Sequence, residues 1–324
     1  MPRLQRAKTC IQAVEKGAAH LVSLQAQDGS LGENAATTRA CHKAVLAMVN
    51  TGRLEEVQRL LEWIKGRYRE GNGAVDAPHP VAAWIIIGAH LSGRLDLSLP
   101  AAAHVAHCQG KGTGGIYETE NGRRRSCHHL CSTAAGGLAL LTCGRISAAW
   151  QAGAFLRRAL GLQPRGNRFY ACFDHRARPV ADADEGDAPD PNSVLNKSQS
   201  GQQYEILGLP ELFLAKLHLA TGDEDFLNAA KGYAHLAHRV EQDIWRSLAG
   251  CMSAWGEAIL YRLTRRRRYL RFAERLVGHL IDGQHEDGSW HPQAAEGEEP
   301  TPEAVVDATA TALLTLTECL REVQ

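Results

Sequence analysis

The sequence predicts an all-α protein, an (α/α)6 toroid in which six outer–inner helical hairpins close into a barrel. Six pairs of helix-like runs follow one another along the chain, and β-type alternation is scarce. In each pair an amphipathic run precedes a run richer in small residues. A similar turn sequence occurs near both ends, QAQDGSL at 25–31 and QHEDGSW at 284–290, and such a return indicates repeated structural units.

Each pair comprises a predicted outer helix, a loop and a predicted inner helix. In the first outer run Val14, Ala18 and Leu21 fall on one stripe, as a helix packed on a core requires. Small residues such as those at 132–137 let crowded helices approach closely, which suits an inner ring. The predicted pairs are 7–24 with 37–50, 54–68 with 80–91, 99–108 with 128–142, 146–160 with 202–219, 224–240 with 252–263, and 269–281 with 304–320.

Composition supports a globular protein. The chain has 324 residues, 44% of them hydrophobic, and we expect residues 1–324 to form a single toroid domain. Lys+Arg and Asp+Glu both number 36, which gives no electrostatic reason to expect nucleic acid as a partner. No stretch approaches the ~20 apolar residues of a membrane span. Nine cysteines without a signal-peptide-type start predict a reducing, cytoplasmic location.

A family resemblance rests on the turn near the C-terminus. Gln284, Gly288 and Trp290 have the spacing of the QW repeat of squalene–hopene cyclases, and Leu31 replaces the Trp in the copy at 25–31. The six-hairpin layout is similar to the terpenoid cyclase and protein prenyltransferase toroids over the whole chain. The resemblance implies that Gln284 and Trp290 tie helix ends together. It bears on fold more than on function, because one fold hosts many chemistries.

Polar residues concentrate at one end of the predicted ring, which we call the mouth. In an alternating toroid all outer-to-inner loops lie at this end, and convergent polar groups in a cavity are typical of active sites. We therefore expect a small-molecule substrate here; the oligomeric state is left open. The predicted catalytic residues are His128, His129, Asp174, His175, Tyr204, Glu205 and Asp307. The predicted substrate-binding residues are Asp76, His79, Trp84, Tyr117, Gln202, Gln203 and Trp255.

Several of these residues have more than one interpretation. Histidine is expected as general acid or base because its ordinary pKa lies near neutral. Tyr204 and Glu205 are adjacent on a helix, so only one of them should point inward. Asp307 could act in the site or stabilise a helix N-terminus. The loop at about 161–200 is longer than a connection requires, which predicts a lid or a disordered segment.

Two motifs suggest further chemistry. Cys127 and Cys131, one helical turn apart if they lie on one helix, could bind zinc with His128 and a residue such as Asp174, or could simply pack. No other cofactor is expected. The run 182–185 (DADE) is similar to the DxDD motif of class II terpene cyclases, with Glu for the last Asp. That resemblance implies that Asp184 is a general acid kept protonated by its neighbours; a solvated acidic loop is the alternative.

Four functions are compatible with these patterns. The first is a terpenoid-cyclase-like enzyme, a cyclase, isomerase or lyase, that uses acid–base chemistry on a natural-product or isoprenoid-like substrate. Aromatic residues make up only 6%, and carbocation cyclases need aromatic walls, so a smaller or oxygenated substrate is expected. The alternatives are a carbohydrate-active enzyme (uronyl hydrolase, lyase or epimerase), a zinc-dependent transferase and a non-catalytic binding scaffold.

Overall fold

The computed structural model describes residues 3–32, 38–66, 79–120, 123–180, 193–292 and 299–323. Twelve α-helices lie within these ranges. The six outer helices are α1 Arg3–Ser23, α3 Leu54–Lys65, α5 Leu95–His107, α7 Ile146–Gly161, α9 Glu224–Ala237 and α11 Arg267–Asp282. The six inner helices are α2 Thr38–Asn50, α4 His79–Leu91, α6 Leu130–Thr142, α8 Glu205–Thr221, α10 Cys251–Thr264 and α12 Pro302–Val323.

The inner helices form a closed ring. Each inner helix packs against the next, and α12 returns to pack against α2. The outer helices pack around this ring, and α1 contacts both α11 and α12 where the ring closes. The (α/α)6 toroid predicted from the sequence is therefore confirmed. Because the ring has six members, α2 lies opposite α8, and α4 lies opposite α10.

The strand content differs from the sequence prediction. Among the described residues, β1 (Tyr117–Glu120), β2 (Arg123–His129) and β4 (Cys172–Phe173) form an antiparallel sheet. A separate pair joins β3 (Arg168–Tyr170) to β5 (Val194–Asn196), so the described parts of the predicted long loop include three strands. Two short 3-10 helices, Gln242–Arg246 and Leu248–Gly250, precede α10.

The start of the third inner helix was predicted wrongly. His128 was expected to open this helix, but it belongs to β2 and pairs with Phe173 of β4. The helix begins at Leu130, because the His129 side chain caps it by accepting a hydrogen bond from the Cys131 N–H. Cys127 therefore lies on a strand and Cys131 on a helix, and the two do not share a helical turn.

Three equivalent turns connect successive outer helices. In each turn a glutamine side-chain amide donates one hydrogen bond to the carbonyl of the turn's own glycine and a second to a carbonyl of the next outer helix. These turns also bring the glycine, with positive φ, against the backbone of that helix. The donors and the two acceptors are Gln25 with Gly29 and Glu56, Gln109 with Gly114 and Ala148, and Gln284 with Gly288 and Ala13.

Trp290 completes the closure of the ring. Its indole Nε1 donates to the Leu280 carbonyl at 2.7 Å, and its backbone N–H donates to Thr309 Oγ1 at 3.1 Å. The buried ring also lies against Gly17 of α1, where a Cβ atom would be only 2.6 Å from it. Trp290 thus connects the last hairpin to the first helix.

None of the helices in the described ranges combines the length and hydropathy that a bilayer span requires.

Candidate functional site

A buried lysine lies at the centre of the mouth. Lys43 comes from α2, and its side chain is 9% exposed. Its Nζ is 3.3 Å from Asp307 Oδ2 of α12 and 3.7 Å from Glu205 Oε1 of α8. Because α2 and α8 are on opposite sides of the ring, the ammonium group bridges the ring near the first turn of α8. We call Lys43, His42, Glu205 and Asp307 the Lys43 cluster.

The charge of Lys43 is fixed by its two carboxylate partners. Burial alone would lower the pKa of the Lys43 amine, but Asp307 and Glu205 outweigh burial and hold this pKa above its usual value. The amine is therefore a permanent cation at physiological pH. Glu205 and Asp307 are 31% and 36% exposed, so both carboxylates stay accessible from the mouth.

One oxygen of the cluster is available as an acceptor. Asp307 Oδ1 is buried and has no hydrogen-bond partner within the described part of the chain. It lies 3.6 Å from His42 Nδ1. A buried acceptor without a partner carries a cost of desolvation that a ligand hydroxyl or a transferred proton would offset. The cluster thus offers a fixed cation next to an available base.

A cysteine lies beside the cluster but is not ionised. Cys251 opens α10 and is fully buried. Burial raises the pKa of its thiol to about 12; Thr315 and Lys43 oppose this shift. Since the thiolate is the nucleophilic form, a protonated Cys251 packs against the cluster without acting as a nucleophile.

The predicted catalytic residues divide into separate groups. Glu205 and Asp307 meet at Lys43, as described above. Tyr204 points away, because its hydroxyl donates to Asp243 Oδ1 of the 3-10 helix at 2.5 Å. Of the predicted substrate-binding neighbours, Gln202 Oε1 accepts from the Asn196 N–H, and Gln203 is exposed. The expectation that adjacent Tyr204 and Glu205 point in different directions agrees with this arrangement.

His128 occupies a buried pocket behind the sheet. Its Nε2 is 2.9 Å from Thr113 Oγ1, and its ring lies 4.0 Å from the ring of Tyr117. Phe155 of the outer helix α7 packs on the other side. Burial lowers the pKa of His128 to about 4, with Asp174 opposing and His175 adding to the shift. His128 is therefore neutral near pH 7, and its catalytic role stays a prediction.

Asp174 and His175 belong to the turn that follows β4. Asp174 accepts hydrogen bonds from the backbone N–H groups of Arg176 and Arg178 and from the Arg178 guanidinium. These bonds lower the pKa of the Asp174 carboxyl. His175 is exposed. Together with His128 and the helix-capping His129, they form a second group around β2 and β4.

The two predicted inner tryptophans contact each other across the ring. Trp84 of α4 and Trp255 of α10 have ring centroids 6.4 Å apart and an interplanar angle of 27°. Each is only 3% exposed. Lys216, about 16 Å beyond Glu205 along α8, holds its amine 4.5 Å from the Trp255 ring. The tryptophan pair therefore fills the middle of the ring, between the Lys43 cluster and Lys216.

Some predicted residues lie outside the described part of the chain, and the predicted zinc ligands do not come together within it. Asp76 and the acidic run 182–185 with Asp184 lie outside the described residues. His79 opens α4, but its side chain also lies outside the description. For zinc, the described residues contain no group of three or more His, Cys, Asp or Glu arranged to hold a metal ion. The alternative set of Cys127, His128 and Cys131 depended on one helical turn that does not form.

Lys43 and His42 were missed by the sequence analysis. The signal was present, because a Lys inside the small and apolar inner run at 41–48 is rarely buried without a partner. The partners, however, come from α8 and α12, more than 160 residues away. Only closure of the ring brings them together.

No protein-family model matches the chain. No curated protein matches it either. Among solved structures, the chain is similar to a D-mannose isomerase (TM-score 0.71, 13% identity, covering 100% of this chain and 99% of that one). It is also similar to the α-1,6-mannanase of glycoside hydrolase family 76 from Salegentibacter sp. (TM-score 0.70, 13% identity, covering 97% of this chain and 99% of that one). A third similar structure is a type II terpene cyclase from Scytonema in complex with geranylgeranyl dihydroxybenzoate (TM-score 0.65, 12% identity, covering 99% of each chain).

The chain has the toroid fold of these enzymes. Identities of 12–13% carry no information on whether the reaction is shared. The three similar enzymes, an isomerase, a cyclase and a mannanase, belong to different reaction classes although they share this fold. The function of this chain therefore has to be argued from its residues at the mouth.

Proposed function

We propose that this chain is an acid–base enzyme, of the isomerase or cyclase type, that acts on an oxygenated small molecule at the mouth of the ring. The observation that carries the proposal is the buried Lys43 ammonium held between Glu205 and Asp307. A cation fixed beside carboxylates can stabilise negative charge that develops on a substrate oxygen while a carboxylate moves a proton.

The chemistry follows from these positions. A substrate carbonyl oxygen would approach Lys43, and the partly exposed Asp307 carboxylate would remove a proton from the neighbouring carbon. The electron pair of that C–H bond then forms the enolate, whose oxygen Lys43 stabilises. Where that carbon also carries a hydroxyl group, the hydroxyl proton moves to the former carbonyl oxygen and Asp307 returns its proton to the former carbonyl carbon. The carbonyl group thus shifts by one carbon without net change in atoms or electrons. His42 lies next to Asp307 and can help to carry the proton.

The lining of the mouth favours an oxygenated substrate over a polyene. Four ionisable side chains converge there, and an apolar chain would remove them from water without giving them partners. The two tryptophans that could line an apolar pocket bury each other instead. Similarity to a D-mannose isomerase and to α-1,6-mannanases supports a sugar-like compound. The Scytonema cyclase, whose bound substrate joins a prenyl chain to an oxygenated ring, keeps an oxygenated prenyl compound as the alternative.

A second candidate function is glycoside hydrolysis. The Glu205 and Asp307 oxygens that contact Lys43 are at most about 7 Å apart, since both touch the same nitrogen. This upper limit is compatible with the about 5–5.5 Å between the two carboxyl groups of retaining glycosidases. Lys43 would then keep both carboxylates ordered, and the similarity to α-1,6-mannanases supports this candidate.

The test is to incubate the protein with aldoses, uronic acids, short mannans and oxygenated prenyl compounds in deuterated water. Deuterium at the carbon next to the carbonyl identifies proton abstraction, and new reducing ends identify hydrolysis. We expect Lys43→Met, Glu205→Gln and Asp307→Asn to lower kcat/KM at least about 100-fold, about 2.7 kcal/mol. The exposed Lys111→Met is the matched control. Full activity in the three variants, or no turnover of any compound, would contradict the proposal.

A further inference from the structure

A large cavity lies in the outer layer of the toroid, around α11. Its volume is about 1470 Å³, which is ample for an organic molecule of drug size. On one side it is lined by residues of the 3-10 helix Gln242–Arg246 and by His238 at the end of α9. On the other side it is lined by the face of α11 that carries Arg268, Phe272 and Arg275. The cavity is therefore distinct from the mouth.

Aromatic rings connect these two sides. The centroid of the Phe272 ring is 5.2 Å from that of His238 and 5.7 Å from that of Trp245. The Arg275 guanidinium carbon is 4.0 Å from the centroid of the Trp245 ring. This stacking orders the guanidinium group and leaves its N–H donors free for a ligand. The contacts bring the arginine and the histidine to the same part of the cavity.

The arginines of this cavity have no acidic partner. Within the described part of the chain, none of the exposed Arg246, Arg268 and Arg275 forms an ion pair with a carboxylate. Glu274 and Asp282 also line the cavity, but neither pairs with these guanidinium groups. Arginine keeps its charge at physiological pH. The cavity therefore contains three cations that are available to an anionic ligand.

Behind His238 lie two buried carboxyl groups. His238 Nε2 is 2.6 Å from Glu257 Oε1, while the imidazole is 27% exposed and its Nδ1 has no hydrogen bond within the described ranges. Glu257 and Glu211 are fully buried, and a Cβ at Gly256 would lie 2.9 Å from Glu211 Oε1, so the two carboxyl groups are neighbours. Among the described residues, Glu257 Oε2 and both Glu211 oxygens have no hydrogen-bond partner. Buried polar groups normally have one, which favours a functional explanation.

This buried pair holds a proton that His238 can take up. Burial raises the pKa of Glu257 to about 7, against the opposing effects of His238 and Arg268. Burial, and then the charge of Glu257, raise the pKa of Glu211 well above its usual value. An anion at Nδ1 favours the imidazolium form of His238, because both ring nitrogens then face negative charge. The pair thus places a further positive charge beside a bound anion.

We propose that this cavity is a second binding site, which takes a phosphate monoester between its three arginines and His238. The site is independent of the function proposed for the Lys43 cluster. Three unpaired cations suit a dianion, and the planar fork of arginine matches phosphate oxygens. A phosphate group fills only a small part of the cavity, so an organic group has room to lie against Phe272.

Isothermal titration calorimetry with phenyl phosphate at constant ionic strength tests the site. We expect one molecule to bind, and Arg246→Gln and Arg275→Gln each to weaken binding at least about tenfold, because charge-assisted hydrogen bonds are lost. Arg267→Gln is the matched control, since Arg267 is an exposed residue of α11 that does not line the cavity. Arg268 is left unchanged because it also donates to the Tyr269 hydroxyl. Absence of saturable binding, or equal weakening by Arg267→Gln, would overturn the proposal.

Related probes test the ligand class and the place of binding. Phenylacetate carries one negative charge, inorganic phosphate lacks the organic group, and phenol lacks the charge. We expect each to bind at least about tenfold more weakly than phenyl phosphate. Equal or tighter binding of any of them rules out a phosphate monoester. Loss of phenyl phosphate binding in Lys43→Met would place the ligand at the mouth and contradict the second site.

The pH dependence of binding tests the role of His238. The titratable or charged groups that face its ring are Glu257, with Glu211 behind it, and Arg268 and Tyr269 of α11. Affinity for phenyl phosphate should fall between pH 7 and pH 8, because the buried pair loses its proton; the limit is about tenfold for one proton. In Glu257→Gln, whose amide does not titrate, the fall should be smaller. An equal fall in both proteins would exclude proton transfer to His238.

Discussion

Lys43 is a buried cation held between two partly exposed carboxylates. An ion pair removed from water gains little over well-packed apolar side chains, because desolvation offsets the attraction. The carboxylates of Glu205 and Asp307 keep about a third of their exposure and can rehydrate when the ammonium is lost. The Lys43→Met variant used to test function should therefore stay folded and should lose less than the about 3–5 kcal/mol of unfolding free energy typical of breaking a fully buried ion pair.

His128 predicts a specific pH dependence of stability. Its folded pKa of about 4 lies below the usual 6.5, so between these values the unfolded chain binds more protons. Its contribution is complete above pH 6.5 and is lost as the pH falls to about 4, by up to about 3 kcal/mol. In His128→Asn, urea unfolding between pH 7 and pH 4.5 should have a smaller loss of free energy than in the native chain.

The comparison between variants isolates this residue. The buried Glu257 has its pKa raised to about 7 by burial, against the opposing charge of His238, and so contributes with the opposite sign. Its effect is common to both proteins and cancels in the difference. His235→Asn, at an exposed position of α9, provides the control. If His128→Asn and His235→Asn have the same pH slope, His128 does not titrate as described.

At the scale of elements, each glutamine turn joins the end of one outer helix to the backbone of the next outer helix. Gln284→Ala removes two hydrogen bonds to backbone carbonyls and should lower the free energy of unfolding by about 1–3 kcal/mol. Gly288→Ala should cost more, because φ is +91° and the new Cβ would lie 2.5 Å from the Lys16 carbonyl oxygen. Denaturant titration measures both.

Another glycine supplies the control for that experiment. Gly278 lies within α11, and a Cβ atom there would meet nothing within 4 Å. Gly278→Ala should therefore be neutral or stabilising by up to about 1 kcal/mol. Equal destabilisation by the alanines at positions 278 and 288 would mean that the close approach at Gly288 has no role.

The helices could be predicted from the sequence and the strands could not. Helix periodicity and terminal glycines are local signals, and all twelve predicted helices occur in the structure. Strand β2 has the sequence RRRSCHH, which lacks alternation of apolar and polar residues. It pairs with β1, which directly precedes it in the chain, and its last residues His128 and His129 pair with β4, more than 40 residues further on. Only the pairing with β4 is absent from a local window of the sequence.

At the scale of the whole molecule, the inner helices close into a ring, and the single domain for residues 1–324 stays a prediction. Each inner helix has two inner neighbours, and Gln284 and Trp290 connect the last hairpin to α1. We therefore expect one unfolding transition in calorimetry, with equal calorimetric and van't Hoff enthalpies. Two resolved transitions would divide the ring into independent units. The Gly278→Ala protein should retain the single transition.

The same closure explains which residues of the Lys43 cluster were predictable. Glu205 and Asp307 were predicted because they follow the loops at the mouth, and alternation of helices places them at that end. His128 and Asp174 satisfied the same rule, but their loops fold back as strands onto the outside of the ring. Lys43 was missed because its partners depend on which helix faces α2, a property of the complete ring.

The tryptophan pair affects how a small molecule could enter and leave the ring. In an open ring of helices, a substrate could enter at one end and a product could leave at the other. Trp84 and Trp255 meet across its centre and block it at that level. For the enzyme proposed above, the product would therefore leave by the opening through which the substrate enters. An accumulated product would then compete with the next substrate molecule for that opening.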